Sequence, residues 1–334
     1  MKNLHLWLSL PVGLVISITC FTGAMLIFEK EISEAVQRHY YRVESVGDVT
    51  HSFDEVVAMV EPMLEEGQRI TGITVSSDEE RTWKVNLSKP KHAAVYVDQY
   101  SGEVLGSPER LPFFRTMFRM HRWLMDSKPA DGGIFWGKVI VGISTLTLVF
   151  ILLSGVVIWI PKSVKMLKNR SKVSVRHGWR RFFYDLHVAG GIYAAVLVLA
   201  MALTGLTWSF EWYGKRFYSL FGVETTVGGH ANVNSEKRGG DRGDNLSPYL
   251  CWQDAIEGVE ARCGDFTEMT VSKGSVSVKR GGWGNQRAAD KYNFDSRTGE
   301  ITDVVLYDDS DHSRKVRGWV YSIHVGNWGG IITR

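Results

Sequence analysis

The sequence predicts an integral membrane protein: an α-helical transmembrane bundle carrying two α+β modules outside the membrane, built by internal duplication. Three observations point there. The chain holds three long apolar windows without Asp, Glu, Lys or Arg, a short connection rich in basic residues between two of them, and matches that recur at fixed offsets. The averages conceal this: 334 residues, 44% hydrophobic and 22% charged, with a formal net charge of +3, would suit a soluble two-domain protein. So balanced a charge gives no general case for nucleic-acid binding.

The first window, Leu4 to Phe28, runs 25 residues; Val139 to Ile160 runs 22 and Val188 to Phe210 runs 23. Because a helix rises about 1.5 Å per residue and the hydrocarbon core is about 30 Å thick, roughly 20 apolar residues span it. All three windows qualify as helices bathed in membrane lipid. The first exceeds the roughly 7–15 apolar residues of a signal-peptide core and has no small-x-small cleavage site before Glu29. It reads as a retained span over residues 1–30.

Orientation follows from the connection. Between Pro161 and Arg181 lie Lys162, Lys165, Lys168, Arg170, Lys172, Arg176, Arg180 and Arg181, with no acidic residue. Positive charge close to membrane spans marks the cytoplasmic side. This places the N-terminus and the loop 162–184 in the cytoplasm of a bacterial inner membrane. The spans 134–161 and 185–213 flank that loop, and the large segments 31–133 and 214–334 face the periplasm.

The repeat organises the rest. Shifted by 182 residues, Leu4-His5 meets Leu186-His187, Thr22-Gly23 meets Thr204-Gly205, and Phe28 meets Phe210. A helix from Phe53 to Glu61 has a counterpart from Trp252 to Glu260. Strands over Ile70–Val75 and Arg81–Leu87 are matched by Phe266–Val271 and Val276–Lys279. Two hairpins close on glycine turns, at Asp98 to Gly102 and Asp295 to Gly299. The modules occupy 31–112 and 214–317. After each comes a histidine segment, 113–133 and 318–334, in which Phe118-Arg119-Met120-His121 matches Tyr321-Ser322-Ile323-His324 at an offset of 203. The glycines at 228, 229, 239, 240 and 243 read as a linker. Cys251 and Cys263 flank one helix, too far apart to bridge, and Cys20 lies within the first span.

Four of the ten histidines hold repeat positions. Topology puts His5 and His187 near the cytoplasmic face and His121 and His324 near the outer face. Two imidazoles per level supply the axial ligands of a haem iron, one haem above the other; a zinc site would need three or four ligands. Gly190-Gly191 would let a flat macrocycle approach the third span. Arg115, Arg119 and Arg122 are candidate contacts for propionates or an acidic ligand. Trp7, Trp123, Trp136, Trp159, Trp208, Trp212 and Trp328 suit an interfacial aromatic belt. There is no nucleophile elbow, phosphate-binding loop or zinc-protease motif, and no catalytic residue can be named.

The segments LHLWLSLPVGLVISITCFTGAMLIF, MFRMHRWLM, DLHVAGGIYAAVLVLAMALTGLTWSF and SIHVGNWGG resemble those of PepSY-associated transmembrane proteins, and VYVDQYSGEV and YNFDSRTGEI resemble PepSY hairpins. That family includes iron-uptake-linked inner-membrane proteins and ferric-siderophore reductases. The resemblance implies two haems b, ligated by His5, His187, His121 and His324, that carry electrons from a cytoplasmic or quinol donor to a ferric siderophore. It also implies a fourth span, whose counterpart by offset falls near 342–363, past Arg334. The expectation is therefore a chain cut before that helix or a partner that supplies it, with one haem if the outer site suffers. A rival reading is a haem-free anchor whose PepSY modules bind or regulate a periplasmic peptidase. A siderophore transporter fits less well, because the span middles carry no charge.

Overall fold

The computed structural model describes residues 2–161, 163–224, 249 and 251–333. Lys162, the glycines at 228, 229, 239, 240 and 243, and Arg334 lie outside the described residues. The chain divides into two compact units: Met1–Glu29, Leu111–Thr225 and Val316–Arg334 form one, and Lys30–Arg110 with Thr226–Lys315 form the other.

In the first unit, three helices are long and apolar enough to cross a membrane: Asn3–Ile27, Trp136–Trp159 and Gly178–Ser209. The second packs against both of the others, and a shorter helix, Pro112–Trp123, packs against the first and second. Large apolar side chains stand exposed along each, such as Leu10 and Leu14 on the first, Phe150 on the second and Val196 on the third. In water this would be an aggregating surface; in a bilayer it is the lipid face. The inward stripes are small or hydroxylated instead, with Gly142, Ser144, Thr22, Ala202 and Thr204 buried. Each of these threonines donates its hydroxyl to a carbonyl of its own helix, Thr22 to Ile18 at 2.7 Å and Thr204 to Ala200 at 2.7 Å. That satisfies the polar group without water.

The third span starts earlier than its hydropathy suggests. Gly178–Asp185 is already helical and runs through one π-helical turn, Leu186–Gly190, into Gly191–Ser209. The basic loop therefore ends within a helix. Asp185 makes this possible: its carboxylate accepts from Arg181 Nε at 2.9 Å and from the Ser174 amide at 3.2 Å, so the buried acid is paired. At the end of the second span, Arg170 donates to the carbonyls of Trp159 and Ile158 at 2.7 and 3.2 Å. The loop's charge thus caps a helix C-terminus.

The second unit is one eight-stranded antiparallel sheet: β1 (Ile70–Ser76), β2 (Trp83–Leu87), β3 (Ala94–Val97), β4 (Val104–Gly106), β5 (Glu268–Ser272), β6 (Ser275–Lys279), β7 (Asp290–Phe294) and β8 (Ile301–Val305). Its order is β4-β3-β2-β1-β5-β6-β7-β8. The helices Phe53–Val60 and Trp252–Cys263 contribute Val56, Val60, Ile256 and Val259 to a core with Ile73, Val85, Met269 and Val278. Ser52 and Glu55 form a reciprocal capping box at the start of the first helix. In the two hairpins the same device recurs. Asp98 accepts from the Tyr100 amide at 2.9 Å and Asp295 from the Arg297 amide at 2.7 Å, with Gly102 and Gly299 at φ +75° and +73°.

The sequence separates the two modules; the structure joins them along β1 and β5 into one sheet, with Gly72 opposite Ser272 and Thr74 opposite Thr270. The Thr74 and Thr270 hydroxyls meet at 2.8 Å across that seam. Gly72 permits the approach, since a Cβ there would lie 2.5 Å from the Val271 carbonyl oxygen. Gly72→Val should open the seam at a cost of about 1–3 kcal/mol. Amide exchange in β1 and β5 should accelerate while β7–β8 stays protected; unchanged protection at the seam would contradict this role.

Candidate functional site

The structure brings the four repeat histidines together as two pairs. The rings of His5 and His187 have centres 6.2 Å apart, inclined at 58°. Those of His121 and His324 are also 6.2 Å apart, inclined at 52°. Two imidazoles on opposite sides of one metal, with bonds of about 2.0–2.1 Å, hold their centres about 6.3 Å apart. Among the described residues no group of three or more His, Cys, Asp or Glu could gather on a metal.

Three of the four rings sit in the same kind of seat. His121 donates Nδ1–H to the carbonyl of Thr19 at 2.8 Å, and its ring lies over Gly23, where a Cβ would come within 2.9 Å of Cε1. His324 donates to the carbonyl of Met201 at 2.9 Å and lies over Gly205, where a Cβ would be 2.8 Å from Cε1. His5 reaches the Ile151 carbonyl at 3.1 Å and the Ser154 hydroxyl at 3.0 Å, and lies over Gly155. A carbonyl only accepts, so Nδ1 carries the proton and Nε2 keeps its lone pair. Glycine four residues beyond the carbonyl lies one turn along the same helix face, which makes room for the ring.

The two levels are far apart. His5 begins the first span, while the seat of His121 lies 14 to 18 residues along that helix, at Thr19 and Gly23. At about 1.5 Å per residue this is roughly 21–27 Å, close to the hydrocarbon thickness.

His121 and His324 belong to helices outside the three spans. Burial pushes the His324 imidazole down to about 4, against the pull of its bond to Met201, and the charges of His121 and Arg122 act in the same direction. Burial lowers His121 as well, against its bond to Thr19, with Arg122 again nearby. Both rings are neutral at pH 7, as a metal ligand must be. Trp208 meets His324 edge-to-face at 5.0 Å and limits its rotation.

The π turn Leu186–Gly190 contains His187. Single π turns inside helices recur at functional sites because they re-aim one side chain. An open cavity of about 490 Å³ lies against this turn, lined by Phe183, Leu186, His187, Gly190, Gly191 and Ala194. A Cβ on Gly191 would meet nothing within 4 Å, so this glycine faces open space.

The arginines part company. Arg119 donates to the Met125 carbonyl at 2.9 Å and the Ser127 hydroxyl at 3.2 Å, tying the turn after its own helix. Arg122 lies over the rings of Phe118 and Trp123 at 5.3 and 5.1 Å, within electrostatic reach of the His121 and His324 imidazoles. The tryptophans divide too. Trp7, Trp136 and Trp212 are exposed as a belt requires, whereas Trp208 serves His324.

The sequence model of the PepSY-associated TM region matches residues 2–334. The chain belongs to the PepSY-associated TM family. No curated protein matches it. Family membership covers the paired histidines and the sheet alike, so the two units of this PepSY-associated TM protein belong to one description.

His121 also depends on how its helix is anchored. Asp126 accepts from the Gly137 amide at 2.8 Å, capping the second span, and from the Ser127 amide at 2.8 Å. A Cβ on Gly137 would fall on the Trp123 carbonyl. The Gly137 and Ser127 amides hold the Asp126 carboxyl below its ordinary range. A depressed folded pKa contributes stability above the unfolded value, about 3.9, that is lost as pH falls through the folded one. Protection of the Gly137 amide should therefore persist at pH 5 and weaken below about pH 4. In Asp126→Asn that dependence should vanish; a dependence kept by the variant would exclude Asp126 as its source.

Proposed function

We propose that this membrane protein carries two haems b, one between His5 and His187 and one between His121 and His324, and moves electrons through the membrane. The observation that carries this reading is the pair of equal ring separations, 6.2 Å at both levels. A haem held between two imidazoles supplies a one-electron Fe(III)/Fe(II) couple. The chain's own residues supply the rest. The carbonyls of Thr19, Met201 and Ile151 fix the ring tautomers, and the glycines beside them leave space for the rings.

Several features support the fit. Gly190 and Gly191 line open space beside His187. Of four buried side-chain polar atoms without a protein partner among the described residues, two lie on the spans, Thr19 Oγ1 and Trp159 Nε1. Thr19 adjoins the outer pair, and Trp159 follows Gly155 by one turn, so both suit the carboxylates of a propionate-bearing macrocycle. Arg122 places a positive charge near the outer pair. In this reading the basic loop is cytoplasmic, the sheet unit is periplasmic, and the chain is a duplicated unit of span, module and histidine segment. Electrons enter from a cytoplasmic or quinol donor. At the periplasmic face, ferric iron held by a siderophore takes one electron and becomes ferrous, which the chelator holds more weakly.

Purified after haem-replete expression, the full chain should show the reduced-minus-oxidised spectrum of haem b with two imidazole ligands. His5→Ala and His121→Ala should each remove a different half of that signal, and siderophore-bound Fe(III) should oxidise the reduced protein. A colourless protein would overturn the proposal and leave the peptidase-binding anchor, in which all four histidines are dispensable.

A further inference from the structure

The three imidazole seats share a component beyond the carbonyl and the glycine. Three residues after each accepting carbonyl stands a hydroxyl within donating distance of that same oxygen. Ser154 Oγ donates to Ile151 at 2.9 Å, while Thr22 and Thr204 share their one proton, reaching Thr19 and Met201 at 3.1 Å and the neighbouring carbonyls of Ile18 and Ala200 at 2.7 Å. Glycine follows at once in every case: Thr22-Gly23, Thr204-Gly205 and Ser154-Gly155. Two of these pairs are related by the 182-residue repeat, but Ser154-Gly155 lies on the second span and is not. The same local solution therefore occurs in two unrelated sequence settings, each time under a histidine.

We infer that the Ser/Thr-Gly pair is a built imidazole seat in which the hydroxyl sets how strongly the carbonyl accepts the imidazole Nδ1–H. The carbonyl oxygen has two lone pairs. In a helix it already accepts the amide four residues on, here that of the glycine itself. The hydroxyl and the imidazole then compete for what remains. A hydroxyl spent on the carbonyl cannot donate to Nδ1, so toward the ring the seat presents acceptors alone. This is clearest at His5, whose Nδ1 faces the Ser154 hydroxyl at 3.0 Å and the Ile151 carbonyl at 3.1 Å together. It recurs at His324, with Thr204 at 3.4 Å and Met201 at 2.9 Å. The glycine decides whether a ring can enter, and the hydroxyl moderates the bond it makes there.

Thr22, Thr204 and Ser154 are accordingly positioning residues for a metal-ligating imidazole. A stronger Nδ1–H bond makes Nε2 a better donor to metal, and outer hydrogen bonds of this kind tune the metal's affinity and potential. Removing the hydroxyl takes one competing donor from the carbonyl, which still accepts its helical amide; this strengthens the imidazole bond and lowers the potential of the corresponding level. The redox part rests on the proposed haem; the hydrogen bond itself does not.

The test uses the full purified chain, ¹⁵N-labelled at histidine and kept reduced so that any bound low-spin iron is diamagnetic. In Thr204→Val the Nδ1–H proton of His324 should move downfield, with His5 unmoved. Ser154→Ala should do the reverse, and Thr204→Ser should restore the wild-type position, which a merely structural effect of valine would not. In haem-loaded protein, Thr204→Val should lower one midpoint potential and leave the other. An unmoved or upfield His324 signal in Thr204→Val, or equal shifts at both levels, would overturn the inference. A chain with no haem spectrum but the downfield shift would defeat the proposed function and leave the seat standing.

Discussion

Three of the four imidazoles at the candidate site depend on one interaction, an N–H given to a main-chain carbonyl inside an apolar helix. In the spans no water competes for that carbonyl, and the helix has already used part of it. The imidazole can reach it only where the next turn carries no side chain. Gly23, Gly205 and Gly155 meet that condition, and the rings of His121, His324 and His5 lie over them. One constraint then fixes three things at once: where the ring lies, which nitrogen bears the proton, and which is left to bind. In the pair His121–His324 both rings are seated in this way; in the pair His5–His187 only His5 is, and His187 is carried by its π turn.

Much of this was legible in the sequence, for physical reasons that can be named. A bilayer requires about twenty apolar residues per span, so the three windows stood out although the overall composition is that of a soluble protein. The strands and hairpins were legible because Asp and Gly are required at fixed places in the turns, as Asp98-Gly102 and Asp295-Gly299 show. The histidines were legible because a repeat of His with Thr-Gly cannot come from hydrophobicity alone.

What escaped the sequence was non-local. The offset of 182 exposed Thr22-Gly23 and Thr204-Gly205 but could not expose Ser154-Gly155, whose only sign is the dipeptide itself. The π turn at His187 is one added residue in a helical turn, too small a change to disturb a hydropathy window. The joining of two modules into one sheet depends on Gly72 lying against a carbonyl from the distant β5, and no local pattern encodes that. The arginines around His121 looked equivalent by spacing, yet Arg119 secures its own turn while Arg122 stacks on aromatic rings near the pair.

Two paired levels separated by roughly the thickness of the hydrocarbon core make a claim that stoichiometry decides. The most direct measurement is haem extracted and quantified per polypeptide, for the wild-type chain and for His187→Ala and His324→Ala. The account requires two haems in the wild type and one in each variant. A wild-type chain with none, or variants that still hold two, would contradict it.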